Sequence, residues 1–326
     1  METSLFDRER VRERCDPGAV TAAVEAAFAA DFAGQTVMPP KTYIDLESYN
    51  GDFRAMPAYV STDDWDAAGV KWVNVHPDNP ADHGLPTVMG LMFYSDPETA
   101  QPLAVMDGTE LTRQRTAAVA AVATNHLAIE EATSLGIVGA GAQSYAQVEY
   151  ISTVRPIGTI VVSDLDSEAV DRFRSHFSDR FTVEAGTPAD AAGCDVLSTL
   201  TPVRDPIIPH SAVGERTHIN AIGADAAGKQ ELDPAILDTA SIVIDDLAQC
   251  SHSGEINVPW AAGHLDETDI HGVLGAVVSG DVAGHEISGS VTVFDSTGLA
   301  IQDIAAAHVV YESGNSNTAF DFLQLD

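Results

Sequence analysis

The sequence predicts an α/β protein in which a doubly wound parallel sheet is inserted into a discontinuous β-rich domain. Three observations predict it. Residues 37–110 break into short apolar runs separated by Pro, Gly, Asn and Asp, the punctuation of strands and turns. From Ser134 onward, strand-like and helix-like runs alternate, a pattern that sets a parallel sheet between helices. Near the end, SVTVFDSTGLAIQDIAAAHVVYE offers a strand, a turn and a helix that can return to the first domain. The expected division is 1–115 with 296–326 for the β-rich domain and 116–295 for the inserted one.

In chain order, Asp16-Pro17 starts a helix, with an acceptor at the N-cap and proline in the first turn. Val20, Val24, Phe28 and Phe32 recur every four residues and give it an apolar stripe, and Gly34 ends it. KTYIDL, FRAMPAYV, VKWVNV, TVMGLMFY and PLAVMDG read as strands. The alanine-rich stretch from Leu111 to Glu131 reads as a long helix. SLGIVGAG is a strand running into a glycine turn, AQSYAQVEYISTV a helix, TIVVSD a strand and SEAVDRFRSHF a helix. FTVEA, DVLSTLT, THINAIGAD and SIVIDD follow as strands.

Composition narrows the classes. The chain has 49 acidic and 16 basic residues, a formal net charge of -33, yet 45% of it is hydrophobic, so the acids belong to a folded surface and not a disordered tail. Such a surface disfavours nucleic acid and anionic membranes. Its self-repulsion calls for salt screening, so the surface reads as adapted to a salty cytoplasm. Cys15, Cys194 and Cys250 are far apart and odd in number, suggesting neither a disulfide framework nor a zinc site. His264 and His271 are not spaced as a helical metal pair, and no metal is expected. There is no apolar stretch of membrane-spanning length, and METSLFDRERVRERC lacks a signal-peptide core. A soluble cytoplasmic protein is expected.

GIVGAGAQS places Gly139 and Gly141 between a strand and a helix. The first glycine permits the tight turn; the second lets a pyrophosphate approach the backbone and the helix N-terminus. Ser144 stands where a third glycine is usual. Asp164 closes the next strand, 25 residues after Gly139, where an acid accepts hydrogen bonds from the adenosine ribose and repels a 2′-phosphate. NAD is therefore expected over NADP; the bland alternative is a strand–turn–helix with no ligand.

Lys71 sits inside the apolar run GVKWVNV, and it is one of only three lysines, with Lys41 and Lys229. An unpaired buried ammonium is expensive to desolvate, so its retention needs a reason. Arg54 in FRAMP and Arg115 in LTRQR likewise lie near element ends. His76 and Asp78 in NVHPDNP read as a turn whose side chains bond the backbone.

These stretches, with GAGAQ and VTVFDSTG, resemble the ornithine cyclodeaminase/μ-crystallin family, and within it the archaeal-type alanine dehydrogenases, from about residue 37 to about residue 310. The resemblance implies a homodimer of chains that each carry a β-rich dimerisation domain and a Rossmann domain. It implies that Lys41, Arg54, Lys71, Arg115 and Thr297 contact substrate, and that Lys71 and Asp225 carry the proton chemistry. It assigns cofactor contacts to Thr87, Arg115, Gly139, Gly141, Ala142, Gln143, Asp164, Thr201, Ile222, Gly223, Ala224, Asp225, Lys229 and Ser296. One departure matters: the cyclodeaminases carry an acid where Arg54 stands, suited to the distal amine of ornithine. Arginine there would repel that amine and could clamp a carboxylate instead. The implied reaction is NAD-dependent, reversible deamination of L-alanine to pyruvate and ammonia. The alternatives are reduction of a cyclic imine such as pyrroline-2-carboxylate, ornithine cyclodeamination, and a μ-crystallin-like binding protein.

Overall fold

The computed structural model describes residues 2–284, 289–314 and 318–321. The chain forms two compact units, Met1–Thr116 with Leu299–Asp326, and Ala117–Gly298.

The first unit is built on a mixed sheet. Its strands are β1 (Glu2–Phe6), β2 (Thr36–Val37), β3 (Thr42–Leu46), β4 (Gly51–Ser61), β5 (Asp66–Val75), β6 (Val88–Ser95), β7 (Pro102–Asp107) and the late strand Ala319–Asp321. They run in the order late strand–β1–β7–β6–β5–β4–β2, with β3 also on β4. Pairing is antiparallel except between β1 and β7. Alternation divides the faces: Met56, Ala58 and Val60 of β4 are buried, while Trp72 of β5 and Leu91 and Phe93 of β6 are exposed. Helix α2 (Pro17–Phe32) and the late helix Ala300–Glu312 pack on the buried face and on each other. Asp16 accepts the N–H of Ala19, with Pro17 in the first turn. Val20, Val24 and Phe28 are buried as the stripe requires, but Phe32 is 43% exposed, because the helix stops there and Gly34 turns the chain at φ +72°. The sequence pattern assigns no element to residues 2–14, yet β1 and helix α1 (Arg8–Arg14) lie there, α1 started by the Asp7 carboxylate on Arg10 N–H.

After the short turn α3 (Asn79–Asp82), α4 spans Gly108–Leu127, three residues earlier at its start and four at its end than the alanine-rich run suggests. Asp107 accepts the N–H of Glu110 and starts it early. Arg155 closes it, donating to the carbonyl oxygens of Asn125, Ala128 and Ile129 at 2.7, 3.0 and 2.9 Å.

The second unit is an eight-stranded sheet, parallel throughout. Its strands are β8 (Ser134–Val138), β9 (Thr159–Ser163), β10 (Thr182–Ala185), β11 (Val196–Thr199), β12 (His218–Ala221), β13 (Ser241–Ile244), β14 (Ile270–Val273) and β15 (Thr292–Asp295). The order β10-β9-β8-β11-β12-β15-β13-β14 reverses direction between β8 and β11. That reversal opens a crevice at the carboxyl ends of the strands, where ligands of such sheets bind. Helices α5 (Ala142–Val154) and α6 (Ser167–Phe177) follow β8 and β9, α6 burying Val170, Phe173 and Phe177.

Candidate active site

In the first unit, the pleat of β5 turns Lys71 to the buried face, 1% exposed, while its neighbour Trp72 faces outward. Lys71 Nζ lies 2.8 Å from each oxygen of Asp303 and donates to Thr112 Oγ1 at 3.2 Å. Arg115, one turn beyond Thr112 on α4, donates from Nε to Asp303 Oδ1 at 3.1 Å and from Nη1 to Gln302 Oε1 at 2.9 Å. One buried carboxylate thus serves two buried cations. The Lys71 ammonium is pulled down to about 7, first by burial, then against the opposing pull of Asp303, with Arg115 and Lys41 adding to the fall. Complete burial, more than the cationic neighbours, is the leading cause. Neither Asp303 nor Gln302 is among the residues anticipated from the sequence.

Arg54 shares the face of Lys71, since Met56 pairs with Lys71 and Arg54 lies two residues before it. Its Nε and Nη2 grip Asp52 at 2.9 Å each, and its guanidinium lies over the Tyr43 ring at 5.4 Å. The expected carboxylate clamp therefore already holds an internal carboxylate. Lys41 is half-buried between β2 and β3. Thr87 is half-buried too, and its carbonyl accepts the N–H of His76. The turn at His76 and Asp78 is structural, but its side chains bond other side chains and not the backbone: His76 Nδ1 meets Asn74 Nδ2, and Asp78 accepts from Asn50.

In the second unit, Gly139 takes φ +103°, a conformation costly for any residue with a Cβ. A Cβ there would also press on Leu200 and Thr201 at 3.2 Å, so β8 and β11 turn tightly against each other at the switch point. A Cβ on Gly141 would meet nothing within 4 Å; the turn is open on that side, ahead of Ala142, Gln143 and the N-terminus of α5. Asp164 is exposed, and its Oδ2 accepts the N–H of Ala140 at 2.7 Å. A glycine turn, open space, helix N–H groups and an exposed acid fit a dinucleotide.

The other strand-end loops are held by acids that the sequence pattern does not single out. Glu231 accepts from Thr201 N–H and Oγ1 at 2.7 and 2.6 Å, and from Gly223 N–H at 3.0 Å. Glu255 holds the N–H groups of Glu231 and Leu232, and Asp295 those of Glu255 and Ile256. Asp245 collects Ser296 Oγ and the N–H groups of Thr297 and Gly298 at 3.0, 2.8 and 2.9 Å. Burial raises Glu231, Glu255 and Asp295, the last to about 7. Ile222 donates to the Thr199 carbonyl, Ala224 is buried, and Lys229 Nζ bonds Asp225 Oδ1 at 2.5 Å. Each of Thr201, Ile222 to Asp225, Ser296 and Thr297 follows the carboxyl end of a strand. Among the described residues, no group of three or more His, Cys, Asp and Glu is arranged for a metal ion. Nor is any described helix long and apolar enough to cross a membrane.

The family model for ornithine cyclodeaminase/mu-crystallin proteins matches residues 1–318. The chain belongs to that family. Among its relatives, alanine dehydrogenase of Archaeoglobus fulgidus is 46% identical over 317 residues, 97% of this chain and 96% of that protein. The solved structure of an archaeal alanine dehydrogenase dimer with bound NAD superposes with a TM-score of 0.93 at 44% identity, covering 99% of this chain and 100% of that one. Delta(1)-pyrroline-2-carboxylate reductase of Thermococcus litoralis, solved with NADH and L-proline, gives 0.90 at 32% identity, covering 95% and 97%. The family fold, a parallel dinucleotide-type sheet and a mixed sheet of discontinuous segments, is the one found here.

Proposed function

We propose that this family member is an NAD-dependent alanine dehydrogenase, converting L-alanine, NAD+ and water to pyruvate, ammonium, NADH and a proton. The observation that carries the reading is Lys71: a fully buried lysine, poised near neutrality beside an arginine, in a chain 46% identical along nearly its whole length to an alanine dehydrogenase. Gly139, Gly141, Ala142, Gln143, Asp164 and the loops at Thr201, Ile222–Asp225 and Ser296 would hold the cofactor. When bound, NAD supplies the two-electron acceptor for the hydride of the substrate Cα.

The chain's own residues supply the rest. Arg115 offers a cation to the substrate carboxylate, with Lys41 adding positive charge, while Arg54, paired with Asp52, contributes its guanidinium as a fixed donor. Lys71 takes a proton from the substrate ammonium in its neutral form and returns one in its charged form; a value near 7 makes both forms available. Asp225, held by Lys229, is the carboxylate that would take a proton from the hydrolytic water. Thr297, fixed by Asp245, completes the proposed substrate contacts.

We also infer a homodimer, supported by the outward apolar strip of Trp72, Leu91 and Phe93, on which Trp72 pairs with Leu91 across β5 and β6. The net charge of -33 supports a protein adapted to high salt. The deciding experiment is an NADH-oxidation screen in molar salt with pyruvate plus ammonium, pyrroline-2-carboxylate and piperideine-2-carboxylate. Turnover highest with pyruvate plus ammonium is expected; preference for a preformed cyclic imine would replace this reading with an imine reductase.

A further inference from the structure

The proton chemistry assigned to Lys71 leaves open what keeps the ammonium in place. Three charged groups act on it from three elements: Asp303 from the late helix, Arg115 from α4, and Lys41 from the β2–β3 connection, around Lys71 on β5. Thr112 of α4 adds a neutral acceptor. Asp303 is the one negative group in this set. It is fully buried and bonded to both neighbouring cations through the same carboxylate. Gln302, the preceding residue and equally buried, takes a second nitrogen of Arg115. Two successive residues of one helix thereby set the position of the arginine, and the second of them also sets that of the lysine.

We propose that Asp303 is a positioning residue: its carboxylate, bonded to both Lys71 Nζ and Arg115 Nε, fixes the two cations relative to each other. The assignment rests on the reading of Lys71 as the proton-exchanging group. Burial alone favours the neutral amine. The Asp303 charge opposes that, so an uncharged isostere moves the proton-release midpoint of Lys71 to lower pH, below about 7.

The chain has only three lysines, so 13C labelling of lysine Cε gives three resonances to titrate. In the wild type, one of them titrates far below the ordinary lysine range. In Asp303→Asn, its midpoint falls by about one unit or more, as expected on losing an opposite charge in contact. Asp303→Glu keeps the charge but displaces it by a methylene: the midpoint stays near that of the wild type while kcat falls about tenfold or more, with NADH binding by fluorescence unchanged and the fold retained by circular dichroism. An unmoved Lys71 midpoint in folded Asp303→Asn, or full kcat in Asp303→Glu, overturns the assignment. A wild type that does not turn over alanine, but whose Lys71 midpoint responds to Asp303→Asn, supports it while overturning the alanine reading.

Discussion

Asp164 Oδ2 accepts the backbone N–H of Ala140 at 2.7 Å, tying the acid after β9 to the glycine turn after β8. The carboxylate is therefore held beside the turn that would receive a dinucleotide, where it repels a 2′-phosphate. NAD should be preferred over NADP in kcat/KM, and Asp164→Ser should narrow the ratio. A wild type favouring NADP would show that this acid does not read the ribose.

Lys71→Arg and Lys71→Ala should both lose turnover by ~100-fold to 10,000-fold while NADH binding survives. Arginine preserves the charge but cannot release a proton, so near-normal turnover in Lys71→Arg would transfer the proton role to Asp225. In the wild type, deamination should rise with pH through about 7, as Lys71 becomes neutral, and amination should fall across the same window.

Gly223→Ala should weaken NADH binding and lower stability by about 1–3 kcal/mol. The added Cβ would collide with Thr201 O and with Glu231 Oε2, inside the clamp that joins two strand-end loops. Unchanged NADH titration and unchanged melting would mean that the loop shifts without cost.

Leu91→Asp should weaken self-association by about 2 kcal/mol or more, read as mass against concentration by light scattering. Leu91 is 46% exposed and faces away from the Lys71 side of the sheet. A wild type that stays monomeric at every concentration would remove the dimer proposal.

Dialysis to low salt should unfold the protein, followed by circular dichroism. At ~1 M salt the screening length is about 3 Å, against about 10 Å at 0.1 M, so repulsion within a net charge of -33 spreads as salt is removed. Full retention of structure would mark the acidic surface as unrelated to salt.

What could be read from the chain follows from contrast. Lys71 stood out because lysine is rare, and β4 to β7 stood out because Pro, Gly, Asn and Asp punctuate their short apolar runs. Asp303, Glu231, Glu255, Asp245 and Asp295 did not stand out, although all are buried, because 49 acids make a buried one look like any other. The ends of α4 were missed for a different reason. Asp107 fixes one end locally, but Arg155 reaches the other from beyond β8, a contact that no local window contains. The strand β1 is five residues long and pairs with β7 and the late strand, so its partners are as distant as its pattern is short.

The bond from Lys71 to Asp303 spans 232 positions of the chain. On a ribosome adding about 5–20 residues per second, Lys71 is synthesised roughly 10–50 s before its counter-ion exists. During that interval the apolar strand around it has no carboxylate to bury the ammonium against. The parallel-sheet unit, continuous from Ala117 to Gly298, has all its strands before Asp303 appears. Birth order thus favours completion of the inserted unit first, with Lys71 of the other unit waiting in water until the helix that carries Asp303 emerges.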